Sequence, residues 1–168
     1  KKFKNKLIES IEKSDSTNNV FNKYNIEYTK DDIELFLEQY NYIMNNYYGE
    51  IDKDKLFRIG MEYTYSNKPF IRRVGFRILF KYVDNVEYLD KIFERCNEFY
   101  NEKHYYVNMM IAWLLCEAFI KNREYTLKYL DNNKLNDFVI NKTISKCRDS
   151  LRVSKLDKEL LLKYKRKI

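Results

Sequence analysis

Three stretches of the chain carry side chains with chemical potential. The first is Phe70-Ile-Arg-Arg-Val-Gly-Phe-Arg-Ile-Leu-Phe80. Its apolar stripe of Phe70, Val74, Ile78 and Leu79 is interrupted by Arg72, Arg73 and Arg77. A guanidinium suits phosphate because its planar fork reaches two oxygens at once. The same arginines fit equally well as ion pairs on a solvated face. The second stretch is His104-Tyr-Tyr-Val-Asn-Met-Met-Ile-Ala-Trp-Leu-Leu-Cys-Glu117. Tyr106, Met109, Met110 and Trp113 fall at i, i+3, i+4 and i+7, and Trp113 is the single tryptophan. Stripes of this composition usually belong to a core. The alternative is a row of ring faces, Tyr105 and Tyr106 included, offered to a cationic or sugar ligand. The third stretch is Asn141-Lys-Thr-Ile-Ser-Lys-Cys-Arg-Asp-Ser-Leu-Arg152, where Lys142, Lys146, Arg148 and Arg152 recur at helical spacing. Such a row matches a track along a phosphate backbone.

The elements that must position these residues are helical. Only 3 Gly and 1 Pro occur in 168 residues, too few for an architecture of many tight turns. Apolar spacing predicts helices over about 2–13, 30–48, 52–65, 69–83, 86–99, 104–121, 123–131, 137–149 and 155–165. Thr29 with Asp32, and Ser154 with Asp157, have capping-box spacing. Gly49 is placed to end one helix and Pro69 to begin another. Successive pairs recur roughly every 35–40 residues without a sharp sequence repeat, the footprint of a HEAT-like solenoid. The expected fold is therefore all-α, a right-handed solenoid of antiparallel helix pairs in a single domain over 1–168, curved around a concave basic face. A globular helical bundle is the alternative that periodicity leaves open.

Composition excludes several classes. Hydrophobic residues make up 45% and aromatics 17%, which rules out disorder of the whole chain. No apolar run approaches the ~20 residues of a membrane span. With so few glycines there is no phosphate-cradling Gly-rich loop. Cys96, Cys116 and Cys147 lie far apart beside one histidine, His104, a poor match to a zinc site or a disulfide framework. The expectation is a reducing, cytoplasmic location and no metal. Net charge is +7; residues 141–168 hold 10 basic against 3 acidic residues, and the rest of the chain balances to zero. A basic end of this kind attracts polyanions, nucleic acid before acidic membranes, although a frayed Lys-rich tail accounts for Lys165-Arg166-Lys167.

Taken together, the three stretches resemble the DNA alkylation repair enzyme family, the AlkD-like glycosylases of HEAT-like helical repeats. Tyr105-Tyr-Val-Asn-Met-Met-Ile-Ala-Trp113 is similar to that family's most recognisable segment. Asn141-Lys-Thr-Ile-Ser-Lys146 with Arg152-Val-Ser-Lys155, and Phe70-Ile-Arg-Arg-Val-Gly75, are similar to two others. The resemblance spans about 52–168. It implies a curved solenoid that cups duplex DNA and removes purines alkylated at N3 or N7, a monomer acting without metal or organic cofactor, nucleoid-associated if bacterial. By motif it carries a site arginine onto Arg73 and a site tryptophan onto Trp113, with paired aromatics on Tyr105 and Tyr106. Arg72, Arg77, Lys142, Lys146, Arg148 and Arg152 are the expected DNA contacts. The family's upstream aspartate, in a Trp-rich segment, has no counterpart by motif; Asp32 and Glu38 lie in the corresponding region. The N-terminus is short for the family, so leading helices are expected to be missing or rearranged. A DNA-binding relative without glycosylase activity and a helical protein-interaction scaffold are the alternatives.

The chemistry makes a carboxylate matter. A cationic alkylpurine is already a good leaving group and needs no general acid. What speeds its departure is stabilisation of the oxocarbenium-like sugar by a carboxylate and ring faces.

Overall fold

The computed structural model describes residues 52–167 and, before them, 31, 34–35, 37–39 and 41–42. Asp32 and the predicted helix over 2–13 lie outside the described residues. The described residues form helices joined by turns, without a strand among them. The helices are α1 (Lys53–Tyr63), α2 (Pro69–Leu79), α3 (Val86–Asn97), α4 (Tyr105–Lys121), α5 (Arg123–Asn132), α6 (Asp137–Asp149) and α7 (Lys155–Leu160). Short 3₁₀ segments, Phe80–Tyr82 and Leu161–Tyr164, extend α2 and α7. They are why the expected ends at 83 and 165 overshoot the α-helices proper.

The boundaries follow from local chemistry. Asp52, Asn85, Asn136 and Ser154 each accept a first-turn backbone N–H, satisfying donors that a helix start leaves orphaned. Pro69 opens α2, where its missing N–H costs nothing.

The helices form two layers. In one, α2 packs on α4 and α4 on α6. The other holds α1, α3, α5 and the 3₁₀ segment after α7, joined in turn by a repeated hydrogen bond. Tyr88 donates to Asp54 at 2.6 Å, Tyr125 to Asp90 at 2.6 Å, and Tyr164 to Asp131 at 2.8 Å. The two partners are 33 to 35 residues apart each time. The repeat missing from the sequence thus survives as a repeated contact. Ring pairs reinforce it, Phe57 with Tyr88 at 4.6 Å and Phe93 with Tyr129 at 4.1 Å.

α4 is the centre of the core. Val107, Met110, Ile111, Leu114, Leu115 and Phe119 are all buried, because helices flank it on several sides. At the other contact, α1 and α2 cross where two glycines meet. A Cβ on Gly75 would lie 2.7 Å from both the Gly60 carbonyl oxygen and the Thr64 nitrogen, and one on Gly60 would lie 2.8 Å from Ile78 Cγ2. Only glycine permits this approach.

Candidate nucleic-acid interface

α2, α4 and α6 each carry a partly exposed stripe on one common side. On α2 it is Arg73, Arg77 and, just past the helix, Phe80. On α4 it is Tyr106, Met109 and Trp113. On α6 it is Phe138, Lys142 and Lys146. Each stripe follows the i, i+3/i+4, i+7/i+8 spacing of one helix face. Because the helices pack in order, the stripes lie side by side and touch. The Arg73 guanidinium lies 5.3 Å from the Tyr106 ring centre, and that of Arg77 5.1 Å from Phe80. Phe80 meets Trp113 edge to face at 5.5 Å. The Lys146 ammonium lies 5.7 Å from the Trp113 ring, and that of Lys142 5.7 Å from Phe138. Tyr105 meets Phe138 at 5.9 Å.

Trp113 is the pivot of this surface. It sits in the most buried of the described helices and is nevertheless 46% exposed. The core reading of the Tyr106–Trp113 stripe therefore holds only for Met110. Trp113 touches a ring on α2's side and a cation on α6's side, and nearly half of its surface stays exposed. Burial lowers the Arg73 pKa, and the guanidinium remains a cation at neutral pH. The Nη1 of Arg77 is buried without a hydrogen-bond partner.

The other arginines divide. Arg72 turns from this surface and is engaged within the fold. It pairs with Glu102 through Nε at 2.9 Å and Nη2 at 2.8 Å, and donates to the Ser66 carbonyl at 3.1 Å. This is the ion-pair alternative weighed for the α2 arginines, realised at Arg72. Arg148 shares α6 with Lys142 and Lys146 but points elsewhere, lining a cavity of about 490 Å³ with Ser145, Asp149, Lys155, Lys158 and Glu159. Arg152 is not on α6 at all: the helix ends at Asp149, and Arg152 sits in the following turn. The single track expected from 142 to 152 is thus two cations over rings, one on another side, and one beyond the helix end.

Arg152 has a partner that sequence reading did not single out. Its Nη1 donates to Glu117 Oε1 at 2.9 Å and its Nη2 to Oε2 at 2.5 Å. Glu117 is one turn along α4 from Trp113, on the same face. The guanidinium holds the Glu117 carboxyl below the usual carboxylate range. The thiols of Cys116, next to Glu117, and Cys147, on α6, are both buried. The sequence signal for Glu117 was an acid amid the apolar run of α4, four residues after Trp113.

Of the two upstream acids, Glu38 is exposed on a helical turn and Asp32 is outside the described residues. No group of three or more His, Cys, Asp or Glu among the described residues is arranged to hold a metal ion. No helix among them is long and apolar enough to cross a membrane.

Paired helices, with cations and rings aligned along three adjacent helices, define an all-helical protein with a surface of cations set over rings. A family model described as DNA alkylation repair enzyme matches residues 13–146. The chain belongs to that family, which places it in DNA repair with DNA as its class of partner. The match reaches further toward the N-terminus than the segments that carry the resemblance and ends at Lys146, before Arg152. No curated protein and no solved structure matches the chain.

Proposed function

We propose that this protein is a DNA glycosylase that excises purines made cationic by alkylation at N3 or N7 from duplex DNA. The observation that carries the reading is the half-exposed Trp113, flanked by Phe80 and Lys146 and continuous with Arg73 over Tyr106. An indole face stabilises a cation by its quadrupole, and cations on either side of it suit the phosphates flanking one nucleotide. Arg73 and Arg77 hold phosphate on one side, and Lys142 and Lys146 on the other. Trp113 lies against the sugar of the damaged nucleotide. The helix pairs form a HEAT-like solenoid with this surface on its concave side, and the protein acts as a cytoplasmic monomer without a cofactor.

The test is release of free methylpurine from methylated duplex DNA. Wild type is expected to release base, and Trp113→Ala and Arg73→Ala to lose about 100-fold or more of the rate. Wild type at background sinks the reading. A second reading, a DNA-binding protein of this family that releases no base, is favoured by one observation: Glu117, the acid nearest Trp113 along α4, has both oxygens engaged by Arg152. It predicts salt-sensitive binding to duplex DNA and no free base.

A further inference from the structure

We propose that Glu117 is a catalytic carboxylate of this site and that Arg152 covers it until a duplex phosphate draws the guanidinium away. The proposal rests on the glycosylase reading above and names the group that reading lacks. Its starting point is an inconsistency in the burial of α4. The partly exposed stripe runs through Tyr106, Met109 and Trp113, and position 117 is its next member. Yet the Glu117 side chain is only 10% exposed, while the Arg152 side chain bonded to it is 57% exposed. The guanidinium, arriving from the turn after α6, covers the carboxylate. The Glu102 side chain is buried as deeply, but its partner Arg72 is itself only 16% exposed, so Glu117 is the buried acid whose arginine stands in solvent.

The asymmetry of the pair suits an exchange. Arg152 stands largely in solvent, and a DNA phosphate offers it the same two-oxygen geometry as a carboxylate. Glu117 is on the inner side, and losing Arg152 leaves its charge poorly solvated and uncompensated. That state is favourable only when another cation takes the place of the guanidinium. An alkylpurine nucleotide bears such a charge, and the sugar inherits it as the base departs. A neutral nucleotide offers nothing in exchange, so the carboxylate reads the charge of the lesion.

The step balances. The glycosidic bond breaks and its electron pair goes to the purine, which leaves neutral. The sugar becomes an oxocarbenium facing Glu117. Water adds to the anomeric carbon and gives its proton to the Glu117 carboxylate, which returns it to solvent.

The experiment compares two duplexes, one with an aza-sugar abasic site that is cationic at neutral pH and one with neutral tetrahydrofuran in the same place. Kd is measured for both at one salt concentration. Wild type is expected to prefer the cationic duplex by about tenfold or more. Glu117→Gln frees Arg152 for phosphate, so it should bind tetrahydrofuran duplex at least as tightly as wild type does and lose the preference. Arg152→Ala leaves the carboxylate in place and uncovered, and should raise the preference even if Glu117→Gln does not fold. A Glu117→Gln variant that keeps the preference, or an Arg152→Ala variant that abolishes it, overturns the proposal. The two readings fail separately. Wild type that releases methylpurine, with Glu117→Gln equally fast and equally selective, removes Glu117 and leaves the glycosylase. Wild type with neither release nor preference removes both.

Discussion

Tyr125 and Trp113 stand on opposite layers of one stack of helices, and their surroundings differ in kind. In the α1–α3–α5 layer, an aspartate of one unit accepts the hydroxyl of a tyrosine in the next, three times over. Those polar groups are directed at each other and hold adjacent units in register. In the α2–α4–α6 layer, cations lie over ring faces. A ring holds a cation by its quadrupole rather than by a hydrogen-bond acceptor, so this layer gathers positive charge without pairing it to a carboxylate of the opposite layer. One layer's polar chemistry is closed within the fold. The other's is arranged but open, as a binding surface must be.

Two further arginine–glutamate pairs sharpen the same contrast. Arg72 and Glu102 are both largely buried, at 16% and 10% side-chain exposure, and Ser66 supports the arginine. Arg152 is far more exposed than its partner Glu117. The first pair ties α2, and through Ser66 the turn before it, to the loop before α4. The second ties an outlying turn to the helix that carries Trp113.

These differences can be broken experimentally, beginning with the core contact beneath the open layer. Gly75→Ala forces a Cβ against backbone atoms of α1 and should cost about 1–3 kcal/mol, read by chemical denaturation. Wild-type stability in that variant would disprove the close crossing of α1 and α2. Lys142→Ala and Lys146→Ala come next. Each should lower the slope of log affinity against log salt by about one while leaving the melting temperature nearly unmoved. An unchanged slope in both would remove them from the DNA surface. Tyr125→Phe deletes one rung of the opposite layer. It should cost about 0.5–1 kcal/mol of stability and leave DNA affinity unaltered; weaker DNA binding without lost stability would reverse the division of labour. The smallest effect is a pH arm. Because Arg152 depresses the Glu117 pKa in the folded chain, the pair's stabilisation is present above the ordinary carboxylate value of 4.5 and is lost as pH falls through the lower folded value. Glu117→Gln should flatten the acid arm of melting temperature against pH, and an arm of unchanged steepness would show that the pair contributes nothing there.

The sequence by itself determined the helices and most of their ends, because caps and breakers are local: Asn85, Asn136, Ser154 and Pro69 act on the turn in which they sit. It also determined the family, through blocks around Arg73, Trp113 and Lys146 whose order and spacing are readable without coordinates. Which side each residue of a stripe would show was beyond it. Met110 and Trp113 are equally apolar by type and three residues apart, yet one is sealed in the core and the other half open, since that depends on how α2 and α6 flank α4. The same holds for the cations. Arg72 and Arg73 are neighbours in the chain, about 100° apart on α2, and only the position of Glu102 thirty residues away decides that one is structural. Glu117 and Arg152, 35 residues apart on a helix and in a turn, become a pair only when α4 and α6 pack. Periodicity records which residues share a face, and contacts between faces belong to the tertiary structure.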